Sequence, residues 1–232
     1  LKRLQTDHID IYQMHWTNQG SYHFRQMWSY DPSGQDKAAT LAHMAEVLEA
    51  ADAARKAGKI GHVALSNESA WGTAQWLRLS EERALPRVQT IQNEYSLLCR
   101  IYDTDLAELA VNEKVTLLAY SPLATGLLPG KYRGDVTPPG SRRTANPDLG
   151  GRLTARSAAA VEAYLDIAAR HGLDIVHMAL AFTVQRPFPV STIFGASTSE
   201  QLAHIIDGLA VVLDDDVLAE IAAAHREWPS PY

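Results

Sequence analysis

Polar residues follow five short apolar segments of the chain, at the point where each segment ends. They are His15-Trp16, Ser66-Asn67, Gln92-Asn93, Tyr120-Ser121 and Gly195-Ala196-Ser197-Thr198. An imidazole can donate a hydrogen bond to an oxygen that gains negative charge during a reaction. Hydroxyl and amide side chains can bind a polar small molecule. These residue types indicate a site that binds and acts on a small molecule, provided the fold brings the five ends together.

The apolar segments are predicted β-strands, and helical patterns separate them. The strands are expected at 9–14, 62–65, 90–92, 115–120 and 191–194. Each is short and largely apolar, which is typical of a parallel strand buried on both faces. Helices are expected from about Leu41 to a stop at Gly58, over 72–84, 103–113, 157–171 and 174–185, and after Asp214. Alternating strands and helices predict parallel strands with right-handed crossovers.

Two architectures fit this alternation, an open doubly wound sheet and a (β/α) barrel with strands outside the given sequence. Five strands are too few to close a small barrel, and 232 residues fall short of the roughly 250 of a complete eight-stranded one. A barrel collects polar groups from every strand end at one mouth, whereas an open sheet concentrates them at one switch point. The recurrence at all five ends therefore favours an incomplete barrel, with residues 1–232 as a single domain.

The composition excludes several classes of protein. The net charge of −6 argues against a general nucleic-acid binder, and no apolar run is long enough for a membrane span. The first residues resemble no export signal, so a cytoplasmic location is expected, and the absence of an initiator Met suggests a missing beginning. Cys99 is the single cysteine, which excludes an internal disulfide and a cysteine metal cluster and predicts a buried thiol. No metal site is predicted.

One segment is locally basic. Between Lys131 and Arg156 it has six bases against two acids, and it is rich in Pro and Gly. The bases are Lys131, Arg133, Arg142, Arg143, Arg152 and Arg156. A long basic loop in a compact domain predicts a functional loop, although a solvated loop with scattered charge is the alternative.

Five motifs resemble, in order, the core of the aldo-keto reductases, in particular the bacterial branch related to the potassium-channel β subunits. They are DHIDIYQMHW, GKIGHVALSNESAWG, TIQNEYSLL, LLAYSPLATGLLPGKY and STIFGASTSEQL. The resemblance implies an α/β (β/α)8 TIM barrel, truncated here to about the last five βα units, with three units before residue 1. Of the family's Asp, Tyr, Lys and His tetrad, only His15 has a match. Tyr12 lies in the same strand as His15 and is no substitute for the missing Tyr.

The resemblance also implies a site for NADP (NADPH). Ser66, Asn67 and Gln92 would bind the nicotinamide carboxamide and Tyr120 would stack on its ring. From the residues alone, Ser66 and Asn67 could instead cap the following helix. The loop with Ser121, Pro122, Leu123 and Gly126 would cover the pyrophosphate.

The adenosine end of the implied cofactor would lie on basic and polar residues. Lys131 and one of Arg142 and Arg143 are candidates for the 2′-phosphate, and this favours NADP over NAD. Ser197 would contact the same phosphate and Gln201 the adenine, although Ser197 to Gln201 also fits a plain helix cap. Family members often have Asn near position 205, where this chain has Ile205.

These observations predict an NADP-dependent oxidoreductase that reduces small aldehydes or ketones to alcohols. The alternative is an NADP-binding regulatory or catalytically impaired homologue. The aromatic segment from Trp16 to Lys37 could line a substrate pocket or simply pack on the barrel. Neither a membrane nor a nucleic-acid partner is expected, and the oligomeric state is left open.

Overall fold

The computed structural model describes residues 1–232 as a five-stranded sheet with flanking helices. The strands are β1 (Ile9–Gln13), β2 (Ile60–Ser66), β3 (Val88–Glu94), β4 (Thr116–Tyr120) and β5 (Val190–Thr192). Their order in the sheet is the order in the chain. β1 is parallel to β2, with Ile9 opposite Ile60, and β2 is parallel to β3, with Ser66 opposite Gln92. The register places the carboxyl ends of these three strands side by side.

Eight α-helices connect or follow the strands. They are α1 (Lys37–Lys56), α2 (Ala70–Glu82), α3 (Asp105–Glu113), α4 (Arg142–Ala145), α5 (Ala155–Arg170), α6 (Ile175–Val184), α7 (Ser199–Asp207) and α8 (Asp215–Glu227). Polar side chains that accept amide hydrogens begin most of them, as at Ser69, Asp174 and Asp214. No helix combines the length and the apolarity that a membrane crossing requires.

The predicted alternation of strands and helices is confirmed. All five strands are present, and their ends lie within two residues of the prediction. The helices predicted at 72–84, 103–113, 157–171 and 174–185 are α2, α3, α5 and α6. The short α4 was not expected, because its Pro- and Gly-rich surroundings indicate a loop. The parallel α/β class is thus established, whereas barrel closure and the missing strands stay predictions.

The chain forms two compact units. The first contains Leu1–Asn93 and Thr104–Leu118, and the second contains Glu94–Asp103 and Ala119–Tyr232. In the first unit, apolar side chains of α1 and β2, among them Met44, Leu48, Val63 and Leu65, are buried. In the second, Tyr95 stacks on Phe182 with ring centroids 6.0 Å apart. Such aromatic pairs add about 0.5–1.5 kcal/mol beyond burial.

Candidate active site

Four predicted site residues of the first unit lie together where β1, β2 and β3 end. The Asn67 side-chain amide donates to the backbone oxygen of His15 and to the hydroxyl of Ser66, each at 3.0 Å. The Ser66 hydroxyl donates to the backbone oxygen of Gln92 at 2.8 Å, and the backbone N–H of Asn67 donates to the same oxygen at 3.0 Å. Asn67 has a left-handed backbone with φ of 56°. These bonds hold His15 and Gln92 at adjacent strand ends.

Two members of this cluster present unused polar groups. The His15 imidazole is exposed and makes no hydrogen bond within the protein, and its ring meets the edge of Phe24 at 6.0 Å. The half-buried side-chain amide of Gln92 has no protein partner either. Ser66 and Asn67 do not cap the next helix, because Ser69 is the N-cap of α2. The helix-cap interpretation of Ser66 and Asn67 is therefore wrong.

A buried carboxylate that the sequence analysis did not single out follows Asn67. Glu68 is 1% exposed and accepts hydrogen bonds from the Ser69 amide at 2.8 Å and from Gln19 and Trp76 at 3.1 Å. Burial raises the pKa of Glu68, and these hydrogen bonds oppose the rise. The contact with Gln19 fixes the loop that follows His15. A charged residue two positions after an apolar strand is the signal that could have identified it.

The aromatic segment is anchored by a second buried polar pair. Asn93 Nδ2 lies 3.1 Å from His23 Nε2 and also donates to the backbone oxygen of Glu68 at 3.1 Å. Burial lowers the pKa of His23 to about 4, so the ring is neutral at neutral pH. Trp16 packs against Phe24 with ring centroids 5.4 Å apart, whereas Trp28 is 74% exposed. Part of the segment therefore packs on the protein and part faces solvent.

In the second unit, the loop after β4 has an unusual run of left-handed backbone. Ser121, Ala124, Thr125 and Gly126 have φ of 56°, 49°, 57° and 93°. The loop is closed on itself, because the backbone N–H groups of Ala124 and Gly126 donate to the backbone oxygens of Ser121 and Leu123 at 2.8 and 2.9 Å. The φ of Gly126 favours glycine, and a Cβ there would lie 2.7 Å from Lys131 Cε and displace the end of that side chain. In the same loop Pro122 is buried and Leu123 half-buried, and Tyr120 is half-buried at the end of β4.

Half of the bases in the basic segment are neutralised within the protein. Arg133 pairs with Glu162, Arg143 with Asp135, and Arg152 with Glu94. Arg143 also donates to two backbone oxygens and its side chain is only 13% exposed. Lys131 and Arg142 are exposed and form no ion pair. Of the two arginines considered for the phosphate, Arg143 is held in an ion pair and Arg142 is not.

Arg152 and Glu94 form a buried ion pair. Arg152 Nε and Nη2 donate to the two carboxylate oxygens at 2.7 and 2.8 Å, and the Tyr232 hydroxyl donates to Oε1 at 2.9 Å. Removing one partner of such a pair typically costs about 3–5 kcal/mol, because the other charge is left buried. The pair connects the end of β3, the end of the basic segment and the C-terminal residue.

The last predicted site residues lie at the start of α7. Thr198 is the N-cap and accepts from the Gln201 amide at 3.3 Å, while Gln201 Oε1 accepts from the Ser197 amide at 2.8 Å. The helix-cap interpretation therefore holds for Thr198 with Gln201. Both Ser197 and Gln201 are exposed.

A parallel sheet with alternating helices defines an α/β protein, a class in which small molecules generally bind beyond the carboxyl ends of the strands. The sequence profile of the Aldo/keto reductase family matches residues 1–226. The chain belongs to the aldo/keto reductase family.

Several curated proteins are similar to this chain. Protein tas of Escherichia coli is 43% identical over 232 residues, which cover all of this chain and 66% of that protein. An aldo-keto reductase of Babesia bovis is 31% identical over 100% of this chain and 85% of that protein. An NADH-specific methylglyoxal reductase of Escherichia coli is 28% identical over 93% of this chain and 58% of that protein. The chain thus spans just under two thirds of the length of Protein tas.

Proposed function

We propose that the protein is an NADP-dependent oxidoreductase that reduces small aldehydes or ketones to alcohols. The observation that carries the proposal is the exposed, unpartnered imidazole of His15 at the end of β1, held by Asn67 beside Ser66 and Gln92. We further propose that residues 1–232 form one domain, the last five βα units of a (β/α)8 barrel in the branch related to channel β subunits.

The residues present fit a nicotinamide cofactor. The free side-chain amide of Gln92 can pair with a carboxamide, since an amide offers both a donor and an acceptor. In the second unit, Lys131 is exposed, has no ion-pair partner and offers positive charge to the phosphates, and the loop from Ser121 to Gly126 would cover the pyrophosphate. A bound nicotinamide would supply the hydride.

The roles of the chain's own residues follow from this assignment. His15 donates a hydrogen bond to the substrate oxygen and stabilises the negative charge that develops there. Asn67 orients His15 through the backbone oxygen of that residue. Trp16 and Phe24, which pack beside His15, line the apolar side of the substrate site. A proton donor, the family's Tyr, is expected from segments that precede residue 1 in other members.

The choice of NADP over NAD rests on charge. One relative is described as NADH-specific, so family membership alone does not decide it. Lys131 and Arg142 are the exposed bases without ion-pair partners in the loop that follows β4. Their two positive charges suit the 2′-phosphate of NADP, whereas NAD has an uncharged ribose hydroxyl at that position.

Turnover tests the proposal. The full-length protein is mixed with NADPH and 4-nitrobenzaldehyde, and loss of the reduced-nicotinamide absorbance is followed. We expect turnover, with a fall in kcat of roughly 10²- to 10³-fold in His15→Gln. His62→Gln, at an exposed position of β2, is the control and keeps full activity. Binding of NADPH without turnover would reject the reductase and favour the regulatory alternative.

A further inference from the structure

We propose that Asp174, His177 and His204 form a surface site for a divalent transition-metal ion, of the Zn²⁺ or Ni²⁺ type. Asp174 is the N-cap of α6, His177 lies in its first turn and His204 lies on α7, all within the second unit. One ligand atom of each residue lies within 4.8 Å of the others. The site is separate from every residue assigned to cofactor or substrate above.

The distances approach those of a metal centre. His204 Nε2 lies 3.2 Å from Asp174 Oδ1. Two ligand atoms on a tetrahedral zinc ion, each bound at 2.0–2.1 Å, are about 3.3 Å apart. An ion between these two atoms would replace the hydrogen that they now share, with the His204 proton on Nδ1 instead. Small rotations of exposed side chains would bring the third ligand in.

A backbone oxygen fixes the tautomer of His177. Its Nε2 lies 2.6 Å from the backbone oxygen of His204, which can only accept, so Nε2 carries the hydrogen. The lone pair of the neutral ring is then on Nδ1. Metal-binding histidines commonly donate their other N–H to a backbone carbonyl or carboxylate in this way, which fixes the tautomer and the ring orientation.

Gly208 makes this position of the His177 ring possible. A Cβ on residue 208 would lie 2.3 Å from His177 Cδ2 and 2.4 Å from Cγ. The ring therefore rests on the backbone that ends α7. It also packs against the His204 ring with centroids 4.5 Å apart. The two rings therefore lie side by side, and a nitrogen of each lies close to the Asp174 carboxylate.

The Asp174 carboxylate is fixed in position and could bind a cation. Its Oδ1 accepts from the amides of Val176 and His177 at 2.8 and 3.1 Å, which fixes the carboxylate. Oδ2 has no protein partner, and no lysine or arginine neutralises the charge. The chain has another His–carboxylate contact, His171 with Glu220 at 3.0 Å, but there Arg170 neutralises the acid and no second histidine is present.

The set of two imidazoles and one carboxylate favours transition metals over Mg²⁺ or Ca²⁺, which prefer oxygen ligands. The fourth position would be filled by water. A bound ion would link the start of α6 to α7 and would stabilise the folded state more as its Kd falls.

Isothermal titration calorimetry of the purified full chain with Zn²⁺, Ni²⁺ and Mg²⁺ tests the site. We expect one Zn²⁺ or Ni²⁺ per chain and no binding of Mg²⁺. His204→Ala should raise Kd by at least about tenfold. Asp174→Asn should do the same while it keeps the helix-capping oxygen. His171→Ala is the matched control and should leave Kd unchanged.

A second measurement separates loss of the site from loss of the fold. Circular dichroism of the metal-free variants should match that of the unsubstituted chain, because both substituted side chains are exposed. Zn²⁺ should raise the Tm of the unsubstituted chain and of His171→Ala, but not of His204→Ala. The proposal would be overturned if His204→Ala bound Zn²⁺ as tightly as the unsubstituted chain. It would also be overturned if His171→Ala lost as much Zn²⁺ affinity as His204→Ala.

Discussion

Two histidines eight positions apart in the first unit occupy opposite environments. His15 is exposed and makes no hydrogen bond within the protein, whereas His23 is 1% exposed and contacts Asn93. Burial keeps His23 neutral, and this residue holds the loop between the two histidines. The His15 imidazole is left accessible to ligands. The residue type alone does not distinguish these roles; the position directly after a strand does so for His15.

The buried His23 predicts an acid-sensitive stability. Its pKa is about 4 in the folded state against 6.5 in the unfolded chain, so the unfolded state binds more protons between these values. The contribution of His23 to the free energy of unfolding is fully present above pH 6.5. It declines by roughly 3 kcal/mol as the pH falls to 4. Urea denaturation at a series of pH values measures the decline.

His23→Gln removes the titrating group and supplies the comparison. The difference in free energy of unfolding between the unsubstituted chain and His23→Gln should shrink as the pH falls from 6.5 to 4. His62→Gln, at an exposed site, should follow the unsubstituted chain throughout. A difference that stays constant with pH would show that His23 does not titrate in this range.

Among the structural elements, the loop between β4 and α5 shows how a charge count can mislead. The sequence has six bases between Lys131 and Arg156, five of them in this loop, but three are held by Glu162, Asp135 and Glu94. Ion pairs between residues distant in sequence cannot be read from local composition. Only some bases of the segment are therefore available to a ligand. One of them, Arg142, lies on the short helix α4.

Arg142→Ala tests the loop's role in cofactor choice. A lost charge-assisted hydrogen bond costs about 1.5–3 kcal/mol, so KM for NADPH should rise roughly tenfold or more, while KM for NADH stays constant. Arg226→Ala, at an exposed arginine of α8, is the control. Steady-state kinetics with both cofactors measure the effect. Equal changes in both KM values would show that Arg142 does not contact the 2′-phosphate.

The strands and helices were largely predictable because each has its own local pattern. Apolar runs indicated β1 to β5, and Asp214 marks a helix start that the structure reproduces. The metal-site candidate was not predictable, because His204 is 27 residues from His177 and only the packing of α7 joins them. The polar cluster around Glu68 was missed for the same reason, since Gln19 is 49 residues away.

At the scale of the whole molecule, the order of the sheet leaves β1 and β5 as its outer strands. Ile11 and Tyr12 of β1 are 43% and 51% exposed, although they belong to a strand of the type that parallel sheets bury. An exposed apolar strand at the edge of a sheet is a template for pairing with another chain.

The 232-residue chain studied alone should therefore associate with itself. Sedimentation velocity should show a weight-average mass that grows with concentration, and Ile11→Lys should reduce that growth because a charge on an edge strand opposes pairing. Val111→Lys, at a similarly exposed apolar position of α3, should not reduce it. A monodisperse monomer at all concentrations would contradict this expectation.

Cys99 is the chain's single cysteine; it is buried and its Sγ lies 3.8 Å from the backbone oxygen of Glu94. Burial raises the pKa of this thiol, so little reactive thiolate forms at neutral pH. The native chain is thus suited to selective fluorescent labelling without further cysteine removal. A cysteine introduced at an exposed position, such as Leu202 on α7, would take up a maleimide dye at one place. Such a dye would report the movements of α7 directly.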